Sequence, residues 1–222
     1  MKAFLLAAGL GKRMLPLTEN KPKCLLEAGG KSLLRWNVER LKSFGYDDLV
    51  INLHHEGDQI KDFLKDGSHL GVKAEYIHEE ELLGTGGAIG NALKVLGEDP
   101  FLLLSSDIWT DFDFSTFAIP SGKLAHLVLI ENPENNIEGD MFFENKEPNM
   151  EGLGKKLTFS GISLINPVLF KDKKKKKYNL WSEVLEVAVK NSLVSAELYE
   201  GYLININTKE DLEKLDAFLA QE

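Results

Sequence analysis

Short apolar runs separated by amphipathic stretches set the rhythm of this chain. The runs at 2–7, 48–53, 73–77, 100–105, 124–130, 157–165 and 202–206 have the length of strands, and all but 73–77 are rich in Leu, Ile, Val and Phe. After the first run, Leu33, Leu34, Val38 and Leu41 recur with helical spacing behind Ser32, an N-cap candidate; after the second, Ile60, Phe63 and Leu64 repeat the stripe more briefly. Further helices are predicted at 86–96, 181–191 and 208–220. The last starts at Thr208 as N-cap, with Asp211 in its first turn, where a carboxylate suits the positive end of the helix dipole. Strands and helices alternating in this way predict an α/β chain with a Rossmann-like, mixed and mostly parallel sheet flanked by helices. Between 107 and 165 the pattern loosens. Asn132-Pro133, Asn135-Asn136 and Glu147-Pro148-Asn149 mark turns there, so strands are expected to be joined by loops. Asp111 and Asp113 read as caps of a short helix over 113–118.

A chain of 222 residues, 43% hydrophobic and without a visible linker, is expected to form one domain over 1–222. Its single cysteine, Cys24, has no partner for an internal disulfide, and the N-terminal apolar run is broken by Gly9 and Gly11 before it reaches the length of a signal sequence. The expected location is cytoplasmic. No stretch reaches the roughly 20 apolar residues that span a bilayer, so no membrane partner is expected. A net charge of −9 argues against nucleic-acid binding. The lysine run 171–177 reads as a solvated loop, lacking aromatic interleaving or amphipathic period. His54-His55-Glu56 with Asp58 reads as a polar loop, because adjacent histidines on a strand face opposite ways.

Charge is not spread evenly. Residues 1–31 carry six basic side chains against Glu19 and Glu27, a local +4 in an otherwise acidic chain. Within them a strand, Phe4 to Ala8, runs into Gly9 and Gly11, which let backbone N–H groups approach a ligand, and Lys12, Arg13 and Lys23 add positive charge. An anion is expected here. The spacing is neither G-x-x-x-x-G-K-[ST] nor G-x-G-x-x-G, which disfavours a P-loop and a nicotinamide dehydrogenase. In open α/β sheets ligands bind beyond the carboxyl ends of the strands, which directs attention to three further loops. Gly84-Thr85-Gly86-Gly87 opens a helix and either receives a phosphate or polar ligand edge or permits close packing. Ser105-Ser106-Asp107 ends a strand, where the carboxylate either holds a hard cation such as Mg²⁺ or caps a turn. Asn205 alternates with apolar neighbours on the last strand and either reaches the same crevice or forms a turn.

Leu6-Ala7-Ala8-Gly9-Leu10-Gly11-Lys12-Arg13 with Pro16-Leu17-Thr18 and Lys21-Pro22-Lys23 resembles the signature of the sugar-1-phosphate nucleotidyltransferases. The likeness runs along essentially the whole chain, through Gly84-Thr85-Gly86-Gly87, Asp107 and the Asn205 strand. Within the family it is most similar to the bacterial N-acetylmuramate 1-phosphate uridylyltransferases of cell-wall recycling, on Asp107 to Phe114, Ala125 to Leu129, Asn132-Pro133, Gly139-Asp140 and Leu157 to Ser163.

The resemblance implies a fold of the nucleotide-diphospho-sugar transferase type. It also implies a reaction in which a sugar-1-phosphate oxygen attacks the α-phosphorus of a nucleoside triphosphate, releasing pyrophosphate. It assigns Arg13 to the leaving phosphates, Lys23 to both reacting phosphates, and Asp107 to Mg²⁺ with Asn205 as second ligand. By the same likeness Leu6, Ala7, Ala8, Gly9, Gly11, Lys12, Gly84, Thr85, Gly86 and Ser105 bind the nucleotide, and Asp140, Ser160 and Gly161 face the sugar. Four positions depart from the family pattern: Ser105-Ser106 stands for Asn-Gly, Asn205 for a metal-binding Asp, and Asn207 for Gly. The expected substrates are UTP and N-acetylmuramate 1-phosphate. The alternatives are guanylyl or thymidylyl transfer to mannose, heptose or glucose 1-phosphate, or a non-catalytic nucleotide-sugar sensor. Oligomeric state leaves no mark in these residues.

Overall fold

The computed structural model describes residues 1–222 except 153, 154, 172, 174–176 and 222, so most of the lysine run 171–177 lies outside the described residues. The strands in chain order are β1 (Lys2–Leu6), β2 (Glu27–Ala28), β3 (Lys31–Ser32), β4 (Asp48–Leu53), β5 (Lys73–His78), β6 (Phe101–Ser105), β7 (Ile108–Thr110), β8 (Ala125–Ile130), β9 (Met141–Glu144), β10 (Glu147–Asn149), β11 (Lys155–Ile165), β12 (Val194–Leu198) and β13 (Leu203–Asn205). The α-helices are α1 (Leu33–Ser43), α2 (Gly57–Leu64), α3 (Gly84–Leu96), α4 (Glu186–Lys190) and α5 (Lys209–Leu219). They form two compact units. The first comprises Met1–Leu82, Leu104–Phe114 and Gly201–Glu222; the second comprises Leu83–Leu103 and Ser115–Glu200. The chain passes from one to the other after Leu82, Leu103, Phe114 and Glu200, so no one linker marks the division in the sequence.

In the first unit β1, β4 and β5 run parallel, with Phe4 opposite Val50 and Val50 opposite Glu75. Residues 49–53 of β4 are all buried, the near-continuous run of a strand covered on both faces. Ser32 caps α1 as expected, its Oγ accepting the Arg35 N–H at 3.2 Å, and Leu33, Leu34, Val38 and Leu41 face inward. β2 and β3 form a hairpin whose two turn residues, Gly29 and Gly30, have φ of 59° and 74°, the left-handed pair that a type I′ turn requires. Met14, Ala28, Leu33, Trp109, Ile206 and Leu215 close a common core against β2 and α5. At α5 Thr208 and Asp211 form a full capping box.

The second unit is mixed, as the loop-rich composition of 107–165 led one to expect. β8 lies between antiparallel β11 and parallel β12, and β11 continues onto β9, which pairs with β10. The register of β11 shifts between Phe159 and Ser163, and Gly161 in that bulge has φ 90°. The expected helix over 181–191 begins as a π-helical turn, Trp181–Leu185, before continuing as α4.

The expected helix over 113–118 does not form. Asp111 instead accepts the Tyr202 N–H at 2.9 Å, while Phe112 and Phe114, two residues apart and 4.9 Å between ring centroids, are both buried. Burying i and i+2 on one side is the geometry of extended chain. Among the described residues no helix is long and apolar enough to cross a membrane.

Polar side chains tie the carboxyl ends of the three parallel strands. Buried Asn52 on β4 accepts the Ala7 N–H just beyond β1 at 2.7 Å and donates to Glu79 Oε1 just beyond β5 at 2.7 Å. The Glu79 N–H returns to the Leu53 carbonyl at 2.8 Å. Both partners of Asn52 are buried, so leaving them unmatched is costly. Asn52→Leu is expected to lower unfolding stability by about 3 kcal/mol in urea titration, against less than about 1 kcal/mol for an exposed change such as Asp58→Asn.

Candidate functional site

The carboxyl end of β1 is where the sequence places an anion. Here the Leu6 carbonyl accepts both the N–H of Ser106, at 3.1 Å, and its hydroxyl, at 2.6 Å. Asn37 on α1 in turn donates to the Ser106 carbonyl at 3.2 Å. Ser106 therefore locks the end of β1 to the loop that carries Asp107. The two glycines after β1 differ. Gly11 has φ 60°, and a Cβ there would lie 2.9 Å from Thr18 Cγ2, while the Thr18 hydroxyl donates to the Gly11 carbonyl at 2.8 Å. It is a turn glycine. Gly9 meets nothing within 4 Å of where its Cβ would be, so no packing in the protein itself asks for glycine there. Open space beside exposed backbone suits close approach by a ligand. Lys12 is exposed.

Arg13 and Lys23, ten residues apart on two short 3₁₀ turns, come together. Lys23 Nζ lies 2.6 Å from Asp107 Oδ2 and 3.2 Å from Asn207 Oδ1, and Arg13 Nη2 donates to that same Asn207 oxygen at 2.7 Å. The side chains of Lys23 and Asp107 are only 12% and 28% exposed, so solvent screens this pair less than it would a surface pair. Asp107 is held from behind, its carbonyl accepting the Ile206 N–H at 2.9 Å. That bond continues the β7–β13 pairing, in which Asn205 stands opposite Ile108, next to Asp107 in the chain. Asn205 is exposed at the end of β13. The sequence missed Asn207. It registered only as a replacement for glycine, because no charge or hydrophobic period marks it.

The second unit holds the remaining predicted residues. Gly84 has φ 71°, and Cβ atoms at Gly84 and Gly86 would lie 2.6 Å from the Tyr178 carbonyl oxygen and 2.4 Å from its ring. The N–H groups of Gly86 and Gly87 both donate to that carbonyl, at 3.1 and 3.3 Å, and the Thr85 hydroxyl accepts the Leu180 N–H at 3.0 Å. Of the two readings left open for this loop, these contacts are those of close packing, against Tyr178 to Leu180. Asp140 is likewise engaged: Oδ1 accepts from Asn136 at 3.1 Å and Oδ2 from the Phe159 N–H at 2.8 Å. Ser160 Oγ accepts the Ile162 N–H across the bulge at 3.2 Å, beside Gly161. Asp140, Ser160 and Gly161 are thus gathered around one bulge in β11.

Comparison with known proteins bears directly on the cluster of Arg13, Lys23 and Asp107. The sequence pattern of the Nucleotidyl transferase family matches residues 2–134, more than half of the chain and inclusive of all three. The chain belongs to that family. It is 38% identical over 217 residues to an N-acetylmuramate alpha-1-phosphate uridylyltransferase of Neisseria meningitidis serogroup B, covering 94% of each chain. It is 29% identical to a D-glycero-alpha-D-manno-heptose 1-phosphate guanylyltransferase of Campylobacter jejuni, covering 95% of this chain and 96% of the relative. Among solved structures, a Bacillus anthracis protein described as a candidate glucose-1-phosphate thymidylyltransferase shares the fold with a TM-score of 0.86 at 21% identity, over 100% of this chain and 96% of that one.

In this nucleotidyl transferase Cys24 sits directly after Lys23 and is buried. Burial, reinforced by the negative charge of Asp107, pushes its thiol from an ordinary 9.0 up to about 12. A neutral, buried thiol is a poor nucleophile. Native protein at pH 8 is expected to resist iodoacetamide, while protein in denaturant takes up one label by mass spectrometry. Because the native state holds this proton more tightly than the unfolded chain, the associated stability is complete below pH 9 and is lost as pH rises towards 12. Denaturation midpoints across that range check the sign.

Proposed function

We propose that this chain is an Mg²⁺-dependent uridylyltransferase that joins UMP from UTP to N-acetylmuramate 1-phosphate with release of pyrophosphate, acting in the cytoplasm in peptidoglycan recycling. The observation that carries it is the convergence of Arg13 and Lys23 on one oxygen beside Asp107. Two polyanions must be brought together for this reaction, and paired cations in a partly enclosed site lower that repulsion more than they would in water. The 38% identity to the Neisseria uridylyltransferase supports uracil and the N-acetylmuramate phosphate over the guanylyl and thymidylyl alternatives.

In this reading Lys23 contacts the α-phosphate and the attacking phosphate, and Arg13 contacts the β- and γ-phosphates, taking up charge as pyrophosphate departs. The attacking phosphate is already ionised, so no side chain need remove a proton. Catalysis is then positioning plus charge neutralisation. The base and ribose lie against the open backbone at Gly9.

The donors available for Mg²⁺ are few. Asp107 offers one carboxylate, already shared with Lys23, and Asn205 an uncharged carbonyl; among the described residues no group of three or more His, Cys, Asp or Glu side chains is gathered. That set fits one Mg²⁺ completed by water and substrate phosphates rather than a cage built by the protein. When bound, the ion would supply further neutralisation of phosphate charge.

Pyrophosphate release with UTP, Mg²⁺ and N-acetylmuramate 1-phosphate is the direct test. Release only with another triphosphate or sugar 1-phosphate selects an alternative transferase, and UDP-sugar binding without release under any pairing leaves the sensor. Arg13→Ala and Lys23→Ala are each expected to lower kcat by roughly 10²–10³-fold, with circular dichroism unchanged. Asn205→Asp is expected to lower the Mg²⁺ concentration at half-maximal rate roughly tenfold; an unchanged requirement removes position 205 from the metal site.

A further inference from the structure

Asn207 stands out in the sequence only as a replacement for glycine, yet it is where the two cations meet. Its Oδ1 accepts from Arg13 at 2.7 Å and Lys23 at 3.2 Å, so the two positive nitrogens lie within about 6 Å of each other. Like charges at that separation repel, and Arg13, an exposed residue, would otherwise be free to turn towards solvent.

The oxygen that restrains them is itself tightly framed. Asn207 is 8% exposed. Its Nδ2 donates to the Asn205 carbonyl at 3.3 Å, which turns Oδ1 towards the cations. Its N–H donates to Asp211 Oδ2 at 2.8 Å, the same carboxylate that accepts the Thr208 N–H in the capping box of α5. A helix start therefore fixes one neutral oxygen in front of two cations.

The chemistry of that oxygen matters. Glycine would offer no acceptor, leaving Arg13 unrestrained and Lys23 held by Asp107 alone. A carboxylate would hold them but cancel a positive charge and repel an incoming phosphate. An amide orders both donors and leaves both charges available. We propose that Asn207 is the positioning residue of the phosphate clamp, holding Arg13 and Lys23 convergent before substrate arrives without cancelling any of their charge. This rests on the reading of Arg13 and Lys23 as phosphate ligands given above. Asp107 already takes part of the charge of Lys23, so the uncharged partner at 207 keeps the clamp net positive.

The experiment is calorimetric binding of UTP, and separately of inorganic pyrophosphate, in EDTA, with melting temperature recorded for every variant. Asn207→Asp keeps the shape and the acceptor, and is expected to weaken both ligands at least about tenfold and to flatten the salt dependence of binding. Asn207→Ala keeps neutrality but removes the acceptor, and is expected to weaken them about three- to tenfold through lost preorganisation. In an Arg13→Ala, Lys23→Ala background both substitutions are expected to have no further effect.

A residue acting only in the fold would lower the melting temperature equally in both backgrounds and leave Asn207→Asp binding like wild type; that result overturns the proposal. So does affinity within twofold of wild type for both variants, or a wild-type protein that binds neither ligand in EDTA. Binding that follows this pattern in a protein that releases no pyrophosphate would instead leave the positioning role standing and remove the transferase reading.

Discussion

The contact on which the first unit's polar cluster depends is the ion pair between Lys23 and Asp107, drawn to 2.6 Å with the lysine only 12% exposed. A charge that far out of water has to be matched, and a match this short fixes both ends. It joins residues 84 positions apart, and Asn207, a further hundred along, completes the arrangement by holding Lys23 and Arg13 on one oxygen. Three segments are thereby set against each other: the basic N-terminal turns, the loop after β6, and the start of α5.

The surrounding fold serves to make that loop rigid. Ser106 gives both of its donors to Leu6, Asn37 holds Ser106 from α1, and Ile206 holds Asp107 through the backbone. Asn52 and Glu79 perform the same office at the ends of β4 and β5. Parallel strands end together here, and the backbone N–H groups just beyond them are satisfied, Ala7 by the buried Asn52 side chain and Ser106 and Glu79 by strand carbonyls. A site built on such an edge inherits the precision of the sheet.

The glycines show how one residue type answers different needs. Gly11 is demanded by its left-handed backbone and by Thr18, Gly84 and Gly86 by Tyr178, and Gly161 by the bulge of β11. Gly9 alone among these has neither a positive φ nor a neighbour. Composition cannot distinguish these cases, because the pressure on a glycine comes from atoms distant in sequence.

The sequence by itself determined most of the regular elements and the family. Local hydrophobic period and capping residues are encoded within a few positions, which is why β1, β4, β5, α1 and the Thr208 cap of α5 were legible. Only tertiary structure decided what depends on partners far along the chain: the division into two interleaved units, the failure of 113–118 to become helical once Phe112 and Phe114 were buried together, and the occupation of the Gly86 and Gly87 N–H groups by Tyr178. The same holds for Asn207. A lone asparagine at a strand end carries no period, charge or motif, and its meaning arises only when the fold places two cations on its oxygen.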